Sequence, residues 1–433
     1  MGKDVYVATA GSDTNSGTPQ EPLRTLSAAI KLAVATKGRV IALAGTYPVD
    51  TLSQDAWAIY GGYAAGFAGP PIREQTVLSP MQETGVLLEG QSAVLAHVAV
   101  AGSPPSTQAM AYALRTRVVQ LLLDDAVVRT ADALSAPAAQ TGTLGGDGGN
   151  GKTQVCNGAT QPTYVTGSYY SASAEGKPAG SYNAQNPGAS VRAVRATDGA
   201  PAGDGINATA DFGMLGDLLQ GTVGEPGKSD GTPGYGAAAG GNGGGWRDGP
   251  DWQKQGVWGG PGGSGGCPGE GGQGAQSGGS SVAILVLAGK VTVQRSQLVT
   301  GLAGNGGDGG DGGPGGHGGW GGSPTGAGNY VGYPNFACKC PIDDPSLQSC
   351  NDPMNANCAA FGGVGGSGGT GGHGGGGAGG SSIGVATYGT TSVTLDPSSN
   401  VVLGPAGTGG SGSGGGRAPN GRRVATFQIQ LLM

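Results

Sequence analysis

The sequence predicts an all-β protein: a right-handed parallel β-helix with an N-terminal capping helix, and with inserts that pack as polyglycine-II helices. This prediction rests on four similar apolar segments, on long glycine-triplet tracts between them, and on a shortage of charged and aromatic side chains. Glycine supplies 96 of 433 residues, whereas charged residues make up 12% and aromatic residues 5%. A chain of this composition suits an elongated repeat better than one compact domain.

The four apolar segments align with one another almost without gaps, and each holds three short apolar runs separated by turn-forming or polar residues. Three short strands in a coil of about 20 residues are typical of one β-helix rung, which buries its inward side chains only by stacking on its neighbours. The predicted rungs are 84–102, 111–130, 282–301 and 383–404.

The two ends of the chain fit the same architecture. Leu26, Ile30, Ala33 and Val34 share one helical face, so 25–36 is predicted as a short amphipathic helix. Such a helix would cover the open end of the stack and its exposed strand edges. Further strands are predicted at 40–44, 56–60 and 425–431.

The N-terminal segments also resemble a known family. VYVATAGSDTNSGTPQEPLRTLSAAIKLA at 5–33, IALAGTY at 41–47 and IYGGYAAGF at 59–67 resemble secreted bacterial pectate-lyase-like β-helix proteins, and most of all the glycine-rich surface proteins of myxobacteria. The resemblance implies the fold and a secreted or outer-surface location. It implies no activity, because β-helices occur as lyases, hydrolases, adhesins and structural shafts alike.

Between the predicted rungs, glycine follows a period of three. The tract at 305–323 reads NGGDGGDGGPGGHGGWGGS, and the pattern recurs at 258–273 and 361–373. This period predicts polyproline-II-type helices, which make no internal hydrogen bonds and can instead bond to one another, with the third residue of each triplet facing outward. Collagen has only one glycine per triplet. The pattern resembles polyglycine-II bundles of the springtail antifreeze protein and certain phage tail-fibre adhesins; a flexible linker is the alternative.

The six cysteines predict disulfides and an oxidising compartment, because their number is even and four lie within 338–358. Zinc is the alternative, but Cys-x-x-Cys pairs are missing and 338–358 contains no histidine. The predicted disulfide residues are Cys156, Cys267, Cys338, Cys340, Cys350 and Cys358.

Charge and hydropathy restrict the partners. The net charge is −6 and no Lys/Arg run occurs, which argues against nucleic acid. The sequence contains no run of about 18 apolar residues, which is the length needed to span a membrane. Strand-like sequence begins at Val5, directly after MGKD, so we expect Met1 to replace a removed leader peptide. The predicted location is secreted or at the outer cell surface.

Two motifs resemble catalytic signatures but lack their context. GDGGNGKT at 146–153 matches a phosphate-binding loop with Lys152 and Thr153 as phosphate contacts, yet no helix is predicted after it. Ser264 and Ser367 lie in G-x-S-x-G patterns, but within triplet tracts instead of a strand-to-helix turn. Neither motif is predicted to be functional.

A few acidic residues are candidates for a calcium site or for a lyase active site. Asp308 and Asp311 resemble calcium-binding repeats, which however have a period of nine, so calcium is only an alternative and no other cofactor or metal is predicted. A polysaccharide lyase needs carboxylates for calcium beside an Arg or Lys base, and Asp124, Asp125 and Arg129 are the nearest candidates. We interpret them as solvated surface charges. His97 lies within a rung, at a polar outward position or a satisfied inner one, and His317 and His373 occupy equivalent triplet positions. We interpret the histidines as surface decoration, with a ligand-contacting or metal role as the alternative.

Binding is predicted in the inserts. Tyrosine and tryptophan offer rigid contact area for recognition, and their rings can stack on sugars; covering the glycine bundle is the alternative role of the tryptophans. The candidate binding residues are Tyr169, Tyr170, Trp246, Trp252, Trp258, His317 and Trp320.

Together these observations predict a non-enzymatic extracellular structural or adhesive protein. Its expected partners are a cell-surface glycan, a polysaccharide or sibling subunits. The alternatives are a carbohydrate-active β-helix enzyme and an ice- or matrix-binding structural protein. The predicted divisions are the cap and first coils (1–80), rungs (81–141), a Tyr/Trp-bearing glycine-rich insert (142–280), a rung (281–303), a triplet insert with the Cys-rich loop (304–381), and the last rungs with a C-terminal strand (382–433).

Overall fold

The computed structural model describes residues 2–67, 69–106, 110–149, 196–209, 212–215, 218–228, 234, 263–321, 363–412 and 415–429. Within these ranges the chain is strand-rich, with one α-helix, two large parallel sheets and a small antiparallel hairpin. The elements are β1 Val5–Val7, α1 Leu26–Thr36, β2 Val40–Leu43, β3 Gly45–Pro48, β4 Thr51–Ser53, β5 Ala56–Tyr63, a 3-10 turn Ala65–Phe67, β6 Thr76–Ser79, β7 Val86–Ala96, β8 Ala99–Ala101, β9 Ala111–Asp124, β10 Val127–Arg129, β11 Phe212–Leu215, β12 Leu218–Gly221, β13 Ser281–Val286, β14 Lys290–Gln294, β15 Gln297–Val299, β16 Ser382–Tyr388, β17 Ser392–Leu395, β18 Asn400–Val402 and β19 Arg423–Ile429.

The predicted N-terminal helix is present as α1. Thr25 caps it by accepting a hydrogen bond from Ala28 N–H on its hydroxyl, and Lys37 ends it in the left-handed conformation at φ 52°. The buried face is Leu26, Ala29, Ile30 and Ala33, so Ala29 takes the place expected for Val34, which is only half-buried. This face packs on the first strands of the larger sheet.

The four predicted rungs pair with one another in parallel. The larger sheet has the order β1-β2-β5-β7-β9-β13-β16-β19, and the smaller sheet has the order β18-β15-β10-β8-β6-β3. In the two later repeats, left-handed glycines at Gly289 (φ 79°) and Gly389 (φ 63°) separate the first strand from the second. In the two earlier repeats both apolar runs form one continuous strand, β7 or β9, which the sequence did not predict.

Identical register places aliphatic side chains on top of one another. Leu95, Leu123 and Val293 occupy one such column and are fully buried. A second column runs through the smaller sheet and is also fully buried: Leu78, Val100, Val128 and Leu298. Each of these side chains contributes about 1.5–3 kcal/mol by leaving water, so the columns stabilise the stacking of the repeats.

Eight extended tracts run from the sheets and bond to one another. Tracts 1, 5 and 7 leave the ends of β10, β15 and β18, whereas tracts 4, 6 and 8 return to β13, β16 and β19. Tracts that both leave the sheets, such as tracts 1 and 5, therefore run parallel, whereas a leaving and a returning tract, such as tracts 5 and 6, run antiparallel. Their ranges are tract 1, 131–149; tract 2, 196–208; tract 3, 224–228; tract 4, 263–280; tract 5, 300–321; tract 6, 363–381; tract 7, 403–412; and tract 8, 416–422.

The hydrogen bonds between tracts repeat every third residue. Tract 1 donates six such hydrogen bonds to tract 5. The first runs from Ala133 N–H to the Leu302 carbonyl, and the last runs from Gly148 N–H to the His317 carbonyl. The second glycine of each tract 5 triplet donates to tract 4, as Gly313 does to the Glu270 carbonyl at 2.8 Å. Backbone groups that the tracts cannot bond internally thus find partners in neighbouring tracts.

Tract 6 lies at the centre, with backbone bonds to tracts 2, 3, 4, 5, 7 and 8. Where tract 7 passes, even the third triplet position is glycine: a Cβ on Gly376 would lie 2.6 Å from the Gly410 carbonyl oxygen, and one on Gly379 would lie 2.1 Å from that of Gly407. Further along, Thr370 and His373 occupy this position and are exposed. The residue type at the third position of a triplet thus depends on whether a neighbouring tract covers that position: glycine where it is covered, a larger residue where it is exposed.

Candidate functional site

Two surface features contain the described candidates for function, and the first is a charged turn between the two sheets. His97, Asp125 and Arg295 occupy equivalent register positions on three successive repeats, and all three are left-handed, with φ of 54°, 47° and 48°. Non-glycine residues rarely adopt this conformation. The turn backbone is held by bonds between repeats, such as that from Asp125 N–H to the Gln294 carbonyl at 3.0 Å.

The acidic residues of this turn are bound in ion pairs. Asp125 contacts both His97 Nδ1, at 2.9 Å, and Arg73 Nη1, at 3.4 Å. Asp124 pairs with Arg295. Arg129, which the sequence suggested as a neighbour of Asp125, pairs instead with Glu74 at 3.2 Å. The three residues considered for lyase chemistry therefore have separate partners, as expected of surface ion pairs.

The second feature is a face formed by tracts 5 and 6, which we name the paired-row face. The tracts are antiparallel, and bonds such as Gly365 N–H to the Gly319 carbonyl and Gly371 N–H to the Gly313 carbonyl set their register. This register brings the third residues of their triplets opposite one another. The opposed pairs are Asp311 and His373, Pro314 and Thr370, His317 and Ser367, and Trp320 and Val364.

Exposure follows the triplet along tract 5. From Asn305 to Trp320 the third-position residue is exposed, the first glycine is half-buried and the second glycine is buried. Trp320 is 67% exposed although it is the largest side chain on the face. Glycine thus serves the packing between tracts, whereas the third position faces solvent.

Two shallow cavities lie at the two ends of this face. The larger, of about 820 Å³, is lined by side chains of Asp147, His317, Trp320, Val364 and Ser367 together with glycine backbone. The smaller, of about 360 Å³, has a different lining. Its polar residues are Thr141, Asp308, Asp311, His373 and Ser411.

Carboxylates of the flanking tracts hold the backbone of the paired-row face. The N–H groups of His317, Ser367 and His373 each donate to a carboxylate oxygen. The acceptors and distances are Asp147 at 2.8 Å, Asp198 at 2.7 Å and Asp204 at 2.9 Å, respectively. Charge-assisted hydrogen bonds are stronger than neutral ones, so these aspartates position the side chains that the face presents.

Asp308 makes a similar contact at the edge of the smaller cavity. Its carboxylate accepts hydrogen bonds from the hydroxyl and the N–H of Ser411, both at 2.6 Å. These bonds, the hydroxyl first, lower the pKa of Asp308 below its ordinary value. Asp311, the other calcium candidate, lies 3.3 Å from Nδ1 of His373. Across the described ranges, no cluster of three or more His, Cys, Asp or Glu side chains is arranged to hold a metal ion.

The predicted binding residues fall into two groups. His317 and Trp320 both lie on the paired-row face and line its larger cavity. Five others lie outside the described residues: Tyr169, Tyr170, Trp246, Trp252 and Trp258. The sequence analysis did not single out Asp147, Asp198 and Asp204. Asp198 and Asp204 lie six residues apart in tract 2, and Asp147 lies fifteen residues after Asp132 in tract 1, so a shared three-residue phase is the signal that could have found them.

The remaining predictions can be placed as follows. Cys267 is buried and disulfide-bonded, and the pairing stays a prediction because the other five cysteines lie outside the described residues. Ser264 is buried, with its hydroxyl 2.7 Å from Gly149 N–H. Both Ser264 and Ser367 lie in extended tracts, whereas a nucleophile elbow requires a turn into a helix. Lys152 and Thr153 lie outside the described residues.

No family model matches the chain, and a search of curated proteins finds no matching relative. In the described part of the chain, no helix is long and apolar enough to cross a membrane.

Proposed function

We propose that the chain is a non-enzymatic protein, secreted or held at the outer cell surface, that uses the paired-row face for adhesion. The observation that carries the proposal is the presentation of His317, Trp320 and Thr370 on tracts whose backbones bond to one another. A surface held by its own backbone needs little ordering when it binds, which favours affinity. The disulfide at Cys267 supports an oxidising location.

The proposed scaffold is a right-handed parallel β-helix of the pectate-lyase-like kind that carries a polyglycine-II bundle at its side. Support for the β-helix comes from the common register of the four repeats, each of which ends in a short strand of the smaller sheet. Support for the bundle comes from the three-residue period of the bonds between tracts.

An enzymatic role has weaker support. Asp124, Asp125 and Arg129 are each bound in an ion pair with a different partner, and none of them lines the cavities of the paired-row face. A lyase site would instead need carboxylates and a base that converge on one substrate position.

An ice-binding role would favour a regular row of threonines on an outward strand face. The outward-facing row of the larger sheet that lies next to the Leu95 column contains only two threonines among its five members. In register order these are Ala58, Val94, Leu122, Thr292 and Thr394.

The proposal is tested with the full chain, labelled and applied to a glycan array and to intact bacterial cells. We expect retention on at least one of these surfaces, with an unrelated acidic β-protein of similar charge as control. A chain retained by neither surface would not be an adhesin. Measured turnover of a polysaccharide would favour the enzymatic alternative, and thermal hysteresis would favour ice binding.

A further inference from the structure

We infer that the paired-row face binds an extended, neutral polysaccharide that lies along tracts 5 and 6. The inference rests on the proposed adhesive function and names the class of ligand. It is drawn from the shape, the chemistry and the charge of the face.

The shape of the face fits a polymer. The four opposed pairs, from Asp311 and His373 to Trp320 and Val364, follow one another along two straight tracts. If the rise is that of polyproline II, successive pairs are about 9 Å apart and the face is about 28 Å long. A shallow, repeating surface of this length offers the same contacts several times, which suits an extended chain of repeating units better than one small molecule.

The chemistry of the face fits sugar rings. Trp320, 67% exposed, supplies a flat apolar surface, and Val364 lies opposite it. Such surfaces pack on the C–H faces of a sugar ring, because an indole ring combines large contact area with little conformational freedom.

Polar groups lie beside this apolar area. His317 and Ser367 form the next pair, and Asp147 lines the same cavity. Hydroxyl and imidazole groups can both donate and accept hydrogen bonds, and a carboxylate accepts them, which together match the dual character of sugar hydroxyls.

The charge of the face selects neutral chains. Asp147 lines the larger cavity, and Asp308 and Asp311 line the smaller one. Among the described residues that line either cavity there is no lysine or arginine. A polyuronate, a sulfated polysaccharide or a nucleic acid would meet like charge here, which costs affinity and slows association.

The backbone of the face is also fixed before any ligand arrives. His317 and Ser367 are held through their N–H groups by Asp147 and Asp198. Because the two side chains project from bonded backbone, little conformational entropy is lost on binding.

The test compares soluble neutral glucan and mannan oligosaccharides with polygalacturonate by isothermal titration calorimetry on the full chain. We expect binding of a neutral oligosaccharide and weaker or no binding of the acidic one. Trp320→Ala should weaken neutral binding about tenfold or more, whereas Trp320→Phe, which keeps a ring, should retain most of it. Met81→Ala is the matched control, because Met81 is 69% exposed and lies in the strand region away from the face.

Unchanged affinity in Trp320→Ala, or tighter binding of polygalacturonate than of any neutral oligosaccharide, would overturn the inference. Circular dichroism of each variant separates lost binding from lost folding. If the chain adheres to bacterial cells but binds none of the neutral oligosaccharides, the ligand class is wrong and the adhesive function stands. If it adheres to neither cells nor glycans, both proposals fail together.

Discussion

Placing a single methyl group inside the tract bundle should destabilise the protein, and Gly371 is the best position for it. Gly371 lies in the central tract 6, and a Cβ there would sit 1.9 Å from the Glu270 carbonyl oxygen. That is about 1.5 Å short of an ordinary van der Waals contact, which begins at 3.4 Å. In Gly371→Ala, tract 4 and tract 6 must therefore separate.

The cost follows from the hydrogen bonds at this point. Tracts 4 and 6 are joined on either side of Gly371 by two bonds, from Gly269 N–H to the Gly369 carbonyl at 3.0 Å and from Gly272 N–H to the Gly372 carbonyl at 2.9 Å. Two broken bonds between buried groups cost about 2–6 kcal/mol. Replacing glycine by alanine returns about 0.4–1 kcal/mol through the unfolded state. The expected net loss is about 1–5.5 kcal/mol.

The assay is guanidinium unfolding followed by circular dichroism, with amide exchange of the tracts as a local readout. Thr370→Ala is the control, because Thr370 precedes Gly371 in the same tract but is exposed; its effect should stay within about 0.5 kcal/mol. If Gly371→Ala were as stable as Thr370→Ala, with unchanged exchange in tract 6, the close packing of these tracts would be refuted.

Three other changes test separate parts of the structure. Leu123→Ala removes a fully buried side chain from the aliphatic column and should cost about 2–5 kcal/mol in denaturant unfolding; a loss below about 1 kcal/mol would mean that the column is not close-packed. Burial raises the pKa of Tyr112, whose hydroxyl oxygen accepts Leu219 N–H at 2.8 Å; Tyr112→Phe should cost about 1–3 kcal/mol and speed amide exchange at Leu219, and unchanged exchange would argue against this bond. Ser411→Ala should raise the pKa of Asp308 toward its ordinary value in an NMR titration, and a pKa that does not move would contradict the contact. Since the folded-state pKa of Asp308 is depressed, its contribution to stability is present above the unfolded-state pKa and is lost as pH falls through the folded-state value. Wild type and Ser411→Ala should therefore converge in stability below about pH 4.

The repeats were predictable because their pattern is local. Apolar runs such as the one around Leu123 recur at matching places in each segment, and burial requires equivalent residues to stack. The helix was predictable for the same reason, from the periodicity of Leu26, Ile30 and Ala33. The continuous strands β7 and β9 were not, because an interruption depends on whether the chain turns left-handed, as at Gly289, and composition alone does not determine that.

The arrangement of the tracts could be predicted only in part. A three-residue period indicates that backbones pair and that third-position residues are exposed, and it placed Trp320 and His317 among the candidates. Successive triplets are nearly identical, so the period does not say which tract neighbours which, or in what register. The contacts between Asp147 and His317, and between Asp198 and Ser367, join tracts that lie far apart in the chain, so only the folded structure reveals them.

Amide hydrogen exchange along tract 5 tests the bonding of the glycine tracts most directly. The second glycine of each triplet, such as Gly310, Gly313 and Gly316, donates to tract 4 from a buried position. Residue-resolved NMR should find these amides protected by several orders of magnitude, to the same extent as those of β13, which tract 4 enters. Exchange of the same amides at unfolded-chain rates, while β13 remains protected, would contradict an ordered bundle.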